Sequence, residues 1–130
     1  MQAKRVVVVD DERAIRVALS ELLAAEGFLV DAVPGGAEAL DLLANGPDVD
    51  ALLIDLFMPG MTGCDLVRAI RSDSRHAGVP ILLITGAVYR PEDFPPAGQY
   101  QSVIEKPFAF ETVVGALRRV TGAGRRLQRP

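Results

Sequence analysis

In this 130-residue chain, chemically competent side chains recur where short apolar runs stop. Asp10 and Asp11 follow Val6 to Val9, and Asp55 follows Ala51 to Ile54. Thr85 follows Ile81 to Ile84, and Lys106 stands between Glu105 and Pro107 just beyond Ser102 to Ile104. If each run is a strand of one parallel sheet, these residues share the rim beyond the strands' carboxyl ends, where open α/β sheets bind their ligands. Three carboxylates brought that close repel by about 4 kcal/mol per pair at an effective dielectric near 20. A hard divalent cation relieves the repulsion, and Mg²⁺ takes one or two carboxylates while keeping waters that phosphoryl oxygens can replace. The ammonium and the hydroxyl complete an electrophilic cage for a phosphoryl group, with one carboxylate as nucleophile and an aspartyl phosphate as product. Taken alone, Asp10-Asp11-Glu12 also reads as a cap that complements the dipole of a following helix. The order and placement of all these residues favour the joint site.

The elements that must hold them are legible. Val6 to Val9 is a β-branched run of the kind buried on both faces of a sheet. Ile15, Ala18, Leu19, Leu22 and Leu23 then fall at helical spacing, with Gly27 at the expected end. Phe28 to Val33 predicts a second strand, and after Pro34-Gly35-Gly36 a helix carries Ala37, Leu40, Leu43 and Ala44. Beyond the third strand and the Pro59-Gly60 break, Thr62 is positioned to cap a helix with Leu66, Val67 and Ile70 inward. Tyr89 to Gln99 contains Pro91, Pro95 and Pro96, which predicts a short or irregular fourth helix. A last helix, from about Phe108 to Val120, turns Phe110, Val113, Val114, Leu117 and Val120 inward. This alternation predicts an open parallel sheet with helices on both faces.

Composition narrows the function classes. Hydrophobic residues make up 49% and charged residues 24%, a globular balance in a chain of single-domain length. The apolar runs are too short to span a bilayer, and the four valines after Lys4-Arg5 are too few for a signal peptide. One cysteine, Cys64, and one histidine, His76, exclude a disulfide framework and multi-Cys or multi-His metal sites, and suit a cytoplasmic location. Five arginines and no acid occupy residues 118–130, leaving nine basic against seventeen acidic residues, a net of −8, in residues 1–117. So acidic a body is a poor nucleic-acid binder. Residues 1–120 are expected to form one domain, and residues 121–130 a basic tail or linker stub.

Val8-Val9-Asp10-Asp11-Glu12, the stretch from Leu53 to Met61 with Gly63, Leu83-Ile84-Thr85-Gly86-Ala87 and Glu105-Lys106-Pro107-Phe108 together resemble the receiver domains of two-component response regulators. The resemblance covers residues 5 to about 120. It implies a flavodoxin-like, doubly wound sheet of five parallel strands in the order 2-1-3-4-5, Mg²⁺ dependence, and phosphoryl transfer from the phosphohistidine of a histidine kinase or histidine phosphotransfer protein. By position it implies that Asp55 is the phosphoryl acceptor. Asp11 and Asp55 would ligate Mg²⁺ with the backbone carbonyl of Phe57, and Asp10 would act through a metal-bound water. Lys106 would pair with Asp55 and then with the phosphoryl oxygens, Thr85 would hydrogen-bond the phosphoryl group, and a cis bond would precede Pro107.

Two positions depart from that family. Val103 stands where an aromatic residue usually links to the threonine, so no ring is there to swing; Tyr100 is expected in the loop or on the opposite strand face. Phe57, two residues past Asp55, should flank the phosphoryl site and restrict attack of water on it. Small Ala87 should leave the other side open. Glu12 and Asp31 are expected to be solvated, Cys64 to pack, His76 to be solvated, and Met58 and Met61 to line the apolar underside of the Asp55 loop. The partners implied are the kinase and an unidentified output partner or effector domain. A phosphorylation-independent scaffold module remains an alternative. A Mg²⁺-dependent phosphatase would carry an acid where Phe57 stands, and a flavin protein would meet an acidic rim that repels its phosphate.

Overall fold

A computed structural model describes residues 3–86 and 90–122. Five parallel strands, β1 (Arg5–Val9), β2 (Leu29–Val33), β3 (Ala51–Asp55), β4 (Ile81–Thr85) and β5 (Ser102–Glu105), pair in the order β2-β1-β3-β4-β5. Helices α1 (Arg13–Ala25), α2 (Gly36–Asn45), α3 (Gly63–Ser72) and α4 (Phe110–Thr121) cover the two faces. The expected flavodoxin-like order is therefore the observed one.

Strand alternation divides the core. Val6, Val8, Leu53, Leu82 and Ile84 pack with Leu19 and Leu23 of α1 and with Val113 and Leu117 of α4. Val7, Val9, Leu52, Ile54 and Leu83 pack on the other face with Leu43 of α2 and with Leu66, Val67 and Ile70 of α3. Every residue of β3 and β4 is buried, which is why these strands read as unbroken apolar runs. Each large aliphatic side chain so buried contributes roughly 1.5–3 kcal/mol.

Two helix faces differ from the expected ones. Leu22 is 44% exposed and Ala18 is also exposed, because the inward stripe of α1 is carried by Leu19 and Leu23 with Ile15 beside them. On α2 the buried positions are Gly36, Ala39 and Leu43, while Ala37 and Ala44 face solvent. Alanine is short enough to satisfy either side, so its spacing alone misassigns the face.

Among the described residues between β4 and β5, the chain makes two short 3₁₀ turns, Pro91–Asp93 and Ala97–Gln99, and no α-helix. The Pro95-Pro96 pair between them removes two amide donors and forces its neighbours extended. Arg71, in the last turn of α3, ties this connection down: its guanidinium donates to the Gln99 carbonyl at 2.8 and 3.0 Å, to His76 O at 3.0 Å and to Ala77 O at 3.1 Å. Tyr100 does lie in the loop, packed on Phe94 with ring centroids 6.1 Å apart. Both rings join the same core layer as Val103, so Tyr100 is not across the sheet from it. His76 is half-buried against Asp73, with Nδ1 3.5 Å from a carboxylate oxygen, rather than freely solvated. Ala87 and most of the basic tail fall outside the described residues.

Candidate functional site

Register assembles the rim. Val9 pairs with Ile54, so the next residues, Asp10 and Asp55, leave adjacent strands at one level. Asp55 pairs with Ile84, and Thr85 with Glu105, which places Lys106 beside the end of β4. The Lys106 amide donates to the Thr85 carbonyl at 2.7 Å, and the Lys106–Pro107 bond is cis. Side-chain oxygens of Asp10, Asp11 and Asp55 all lie within 4.8 Å of one another, with Asp10 and Asp55 buried and Asp11 exposed.

The Lys106 ammonium closes this cluster. Its Nζ lies 3.3 Å from Asp55 Oδ2, 3.3 Å from Asp10 Oδ2 and 3.2 Å from Glu12 Oε1. Glu12 is the residue that sequence reasoning left to solvent; a partner 94 positions away has no local signature. Its own amide donates to Asp10 Oδ1 at 2.8 Å, and Arg16 donates to the Asp10 carbonyl at 2.7 Å, so the first turn of α1 fixes the end of β1. The Phe57 amide donates to Asp55 Oδ1 at 3.2 Å.

Burial, and then the charge of Asp10, push the Asp55 carboxyl up to about 6, with Lys106 and the Phe57 amide pulling the other way. Burial lowers the Lys106 ammonium, but Asp10, Asp55 and Glu12 outweigh it and leave its pKa raised. Three acids thus face one ammonium, with Asp11 beside two of them. Of the three buried side-chain atoms that lack hydrogen-bond partners among the described residues, two are at the rim, Asp10 Oδ2 and Thr85 Oγ1; the former has only its ion-pair contact with Lys106. Excess negative charge, hard oxygen donors and an underused carboxylate oxygen fit a divalent cation of the Mg²⁺ type.

Two glycines make the close approaches possible. A Cβ on Gly63 would lie 2.6 Å from the Asp55 carbonyl oxygen and 2.7 Å from Leu56 Cα. A Cβ on Gly86 would lie 3.0 Å from Cδ of Lys106, whose stem crosses it. The site opens into a cleft of about 710 Å³ whose apolar side is formed by Ile15, Phe57, Pro107 and Phe108. Phe57 is 38% exposed there, flanking Asp55 as expected. Met58 is buried in the core layer beneath the loop and Met61 packs against that layer, again as expected. Asp31 carries an ion pair to Arg5 at 3.0 Å and lies apart from the rim.

Comparison with known proteins agrees with this geometry. Residues 6–118 match the model of the response regulator receiver domain. Response regulator MprA from Mycobacterium sp. strain KMS is 34% identical over 114 residues, 88% of this chain and 49% of that protein. The chain thus spans about half the length of the curated relatives it matches. Among solved structures, chemotaxis protein CheY4 of Vibrio cholerae superposes with a TM-score of 0.80 at 31% identity, covering 91% of this chain and 98% of that one. Response regulator TrrA of Thermotoga maritima, solved in complex with Mg²⁺ and beryllofluoride, gives 0.78 at 30% identity, covering 90% and 98%.

Proposed function

This chain belongs to the response regulator receiver domain family and is a receiver domain of a two-component system; from that premise we propose that Asp55 is its phosphoryl acceptor. The observation that carries the reading is a buried carboxylate with an ammonium 3.3 Å away, at a rim where two further acids converge. An Asp55 oxygen attacks phosphorus as the bond from phosphorus to a donor histidine nitrogen breaks; the aspartyl phosphate forms and the imidazole leaves with a proton from water. Lys106 holds the incoming phosphoryl oxygens by charge, and the Thr85 hydroxyl, without a hydrogen-bond partner among the described residues, donates to them. Phe57 shields one side of the phosphoryl group from water.

Mg²⁺ is the cation we assign to the acids; Asp11, Asp55 and the Phe57 carbonyl would hold it, and Asp10 would act through water. When bound, it supplies positive charge that offsets the charge of the transferring group. Its binding by TrrA supports this assignment. The donor is a histidine kinase or histidine phosphotransfer protein, and the output is a partner or effector domain. The acidic body argues against nucleic-acid contact by residues 1–120, which we take as the receiver domain with residues 121–130 as its tail. Among the described residues no helix is long and apolar enough to cross a membrane, in keeping with a cytoplasmic site of action.

A phosphorylation-independent scaffold has no use for a partly unsatisfied acid pocket and is not favoured. Incubation with acetyl phosphate and Mg²⁺, followed by intact-mass measurement, tests the assignment. The wild type should gain one phosphoryl group and Asp55→Asn none; uptake by the variant, or none by the wild type, overturns it.

A further inference from the structure

Lys106 is shared among three carboxylates among the described residues, and they are not equivalent. Asp10 and Asp55 belong to the cluster whose oxygens lie within 4.8 Å of one another; Glu12 does not. The Glu12 side chain is also 60% exposed, against 1% for Asp10 and 5% for Asp55. A divalent cation among the cluster's acids takes up charge that otherwise attracts the ammonium. Glu12 alone of the three keeps its full attraction, so the occupied site draws Lys106 outward. The phosphoryl group must then win the same ammonium back. Two acceptors competing for one donor set its population by their relative strength.

We propose that Glu12 is a positioning residue that acts through Lys106, holding the ammonium at the mouth of the pocket and thereby limiting how tightly the phosphoryl group is bound. The proposal rests on the assignment of Asp55 as acceptor. The local geometry suits the role: the Glu12 amide is anchored to Asp10 Oδ1, so its backbone is fixed while its carboxylate reaches across to β5. Glu12 stands at the N-cap of α1, yet its side chain makes no capping bond and is spent on Lys106 instead. The Lys106 stem passes over Gly86, where a Cβ would lie 3.0 Å from its Cδ, so the missing side chain leaves the stem room to move between these carboxylates.

The test is beryllofluoride binding at saturating Mg²⁺, followed by nuclear magnetic resonance in wild type, Glu12→Gln, Lys106→Met and the double variant. Gln keeps the length of Glu12 without its charge, and the exposed position leaves folding untouched. Glu12→Gln should bind beryllofluoride about three- to tenfold tighter, a change of roughly 0.6–1.4 kcal/mol. It should also shift the Lys106 ε-methylene resonance in the Mg²⁺-bound state before beryllofluoride is added. In the Lys106→Met background the Glu12 substitution should change affinity by less than about twofold. An equal gain in both backgrounds means that Glu12 acts through general charge and overturns the proposal, as does an unchanged affinity or an unmoved resonance. If the wild type binds Mg²⁺ and beryllofluoride only as well as Asp55→Asn does, the acceptor assignment itself fails, and this inference with it.

Discussion

The acid rim and the connection between β4 and β5 are built on opposite principles. The rim is placed by regular strands in strict register, yet its polar groups are poorly satisfied, with like charges crowded and Asp10 Oδ2 and Thr85 Oγ1 lacking hydrogen-bond partners among the described residues. The connection is irregular in backbone but tied down: one guanidinium meets three carbonyls and Phe94 packs on Tyr100, with the buried Gln99 Oε1 its one side-chain atom lacking a hydrogen-bond partner among the described residues. Regular structure therefore carries the unstable chemistry, and specific side-chain bonds stabilise the irregular segment. A rim left unsatisfied by its own protein is one that an added charge can change.

Removing Arg71 tests that contrast most strongly. Arg71→Ala strips four charge-assisted bonds and should cost about 2–4 kcal/mol in denaturant unfolding. It should also raise amide exchange most at residues 97–101, while acetyl phosphate uptake by Asp55 stays within about threefold of wild type. Exchange that rises equally at the rim would erase the distinction. Gly63→Ala attacks the other region, driving a methyl into the backbone of Asp55 and Leu56, and should cost about 1–3 kcal/mol. Uptake should fall with it, since the peptide of the proposed acceptor must shift; stability lost with uptake intact would place the strain elsewhere.

A third experiment sharpens the electrostatic half. The folded Asp55 pKa, near 6, lies above its ordinary 3.8, so between those values the metal-free folded protein holds a proton that the unfolded chain releases. Stability from this group is therefore present at low pH and lost as pH rises through about 4 to 6. Metal-free Asp55→Asn should be more stable than wild type at pH 7 by about 1–2 kcal/mol, and the difference should shrink by pH 4.5. Urea unfolding at the two pH values checks the sign, and a gap that widens on acidification would refute it. The smallest effect belongs to the edge of the cleft: Phe57→Asn should shorten the aspartyl phosphate lifetime two- to fivefold, roughly 0.4–1 kcal/mol in barrier. An unchanged lifetime removes the shielding role.

The strand ends were legible because buried parallel strands leave continuous apolar runs, and Asp10, Asp55, Thr85 and Lys106 terminate or closely follow them. The irregular connection was legible from its prolines. Glu12 was not, because a third acid beside Asp10-Asp11 looks like solvated charge until β5 brings Lys106 to it. Arg71 was equally silent: its partners are backbone carbonyls, which no side-chain pattern reveals. Ala18 and Ala39 show the remaining ambiguity, since a methyl group fits either face of a helix and only packing decides.

Gly63 carries one more implication. Its amide donates to the Leu56 carbonyl at 2.9 Å, and its Cα sits against the peptide that follows Asp55 with no atom of clearance to spare. Whatever displaces that peptide must displace the head of α3 as well, since neither can yield without the other. Asp55, the proposed acceptor, is thus geared to a ten-residue lever whose far end bears the arginine that grips the β4–β5 connection.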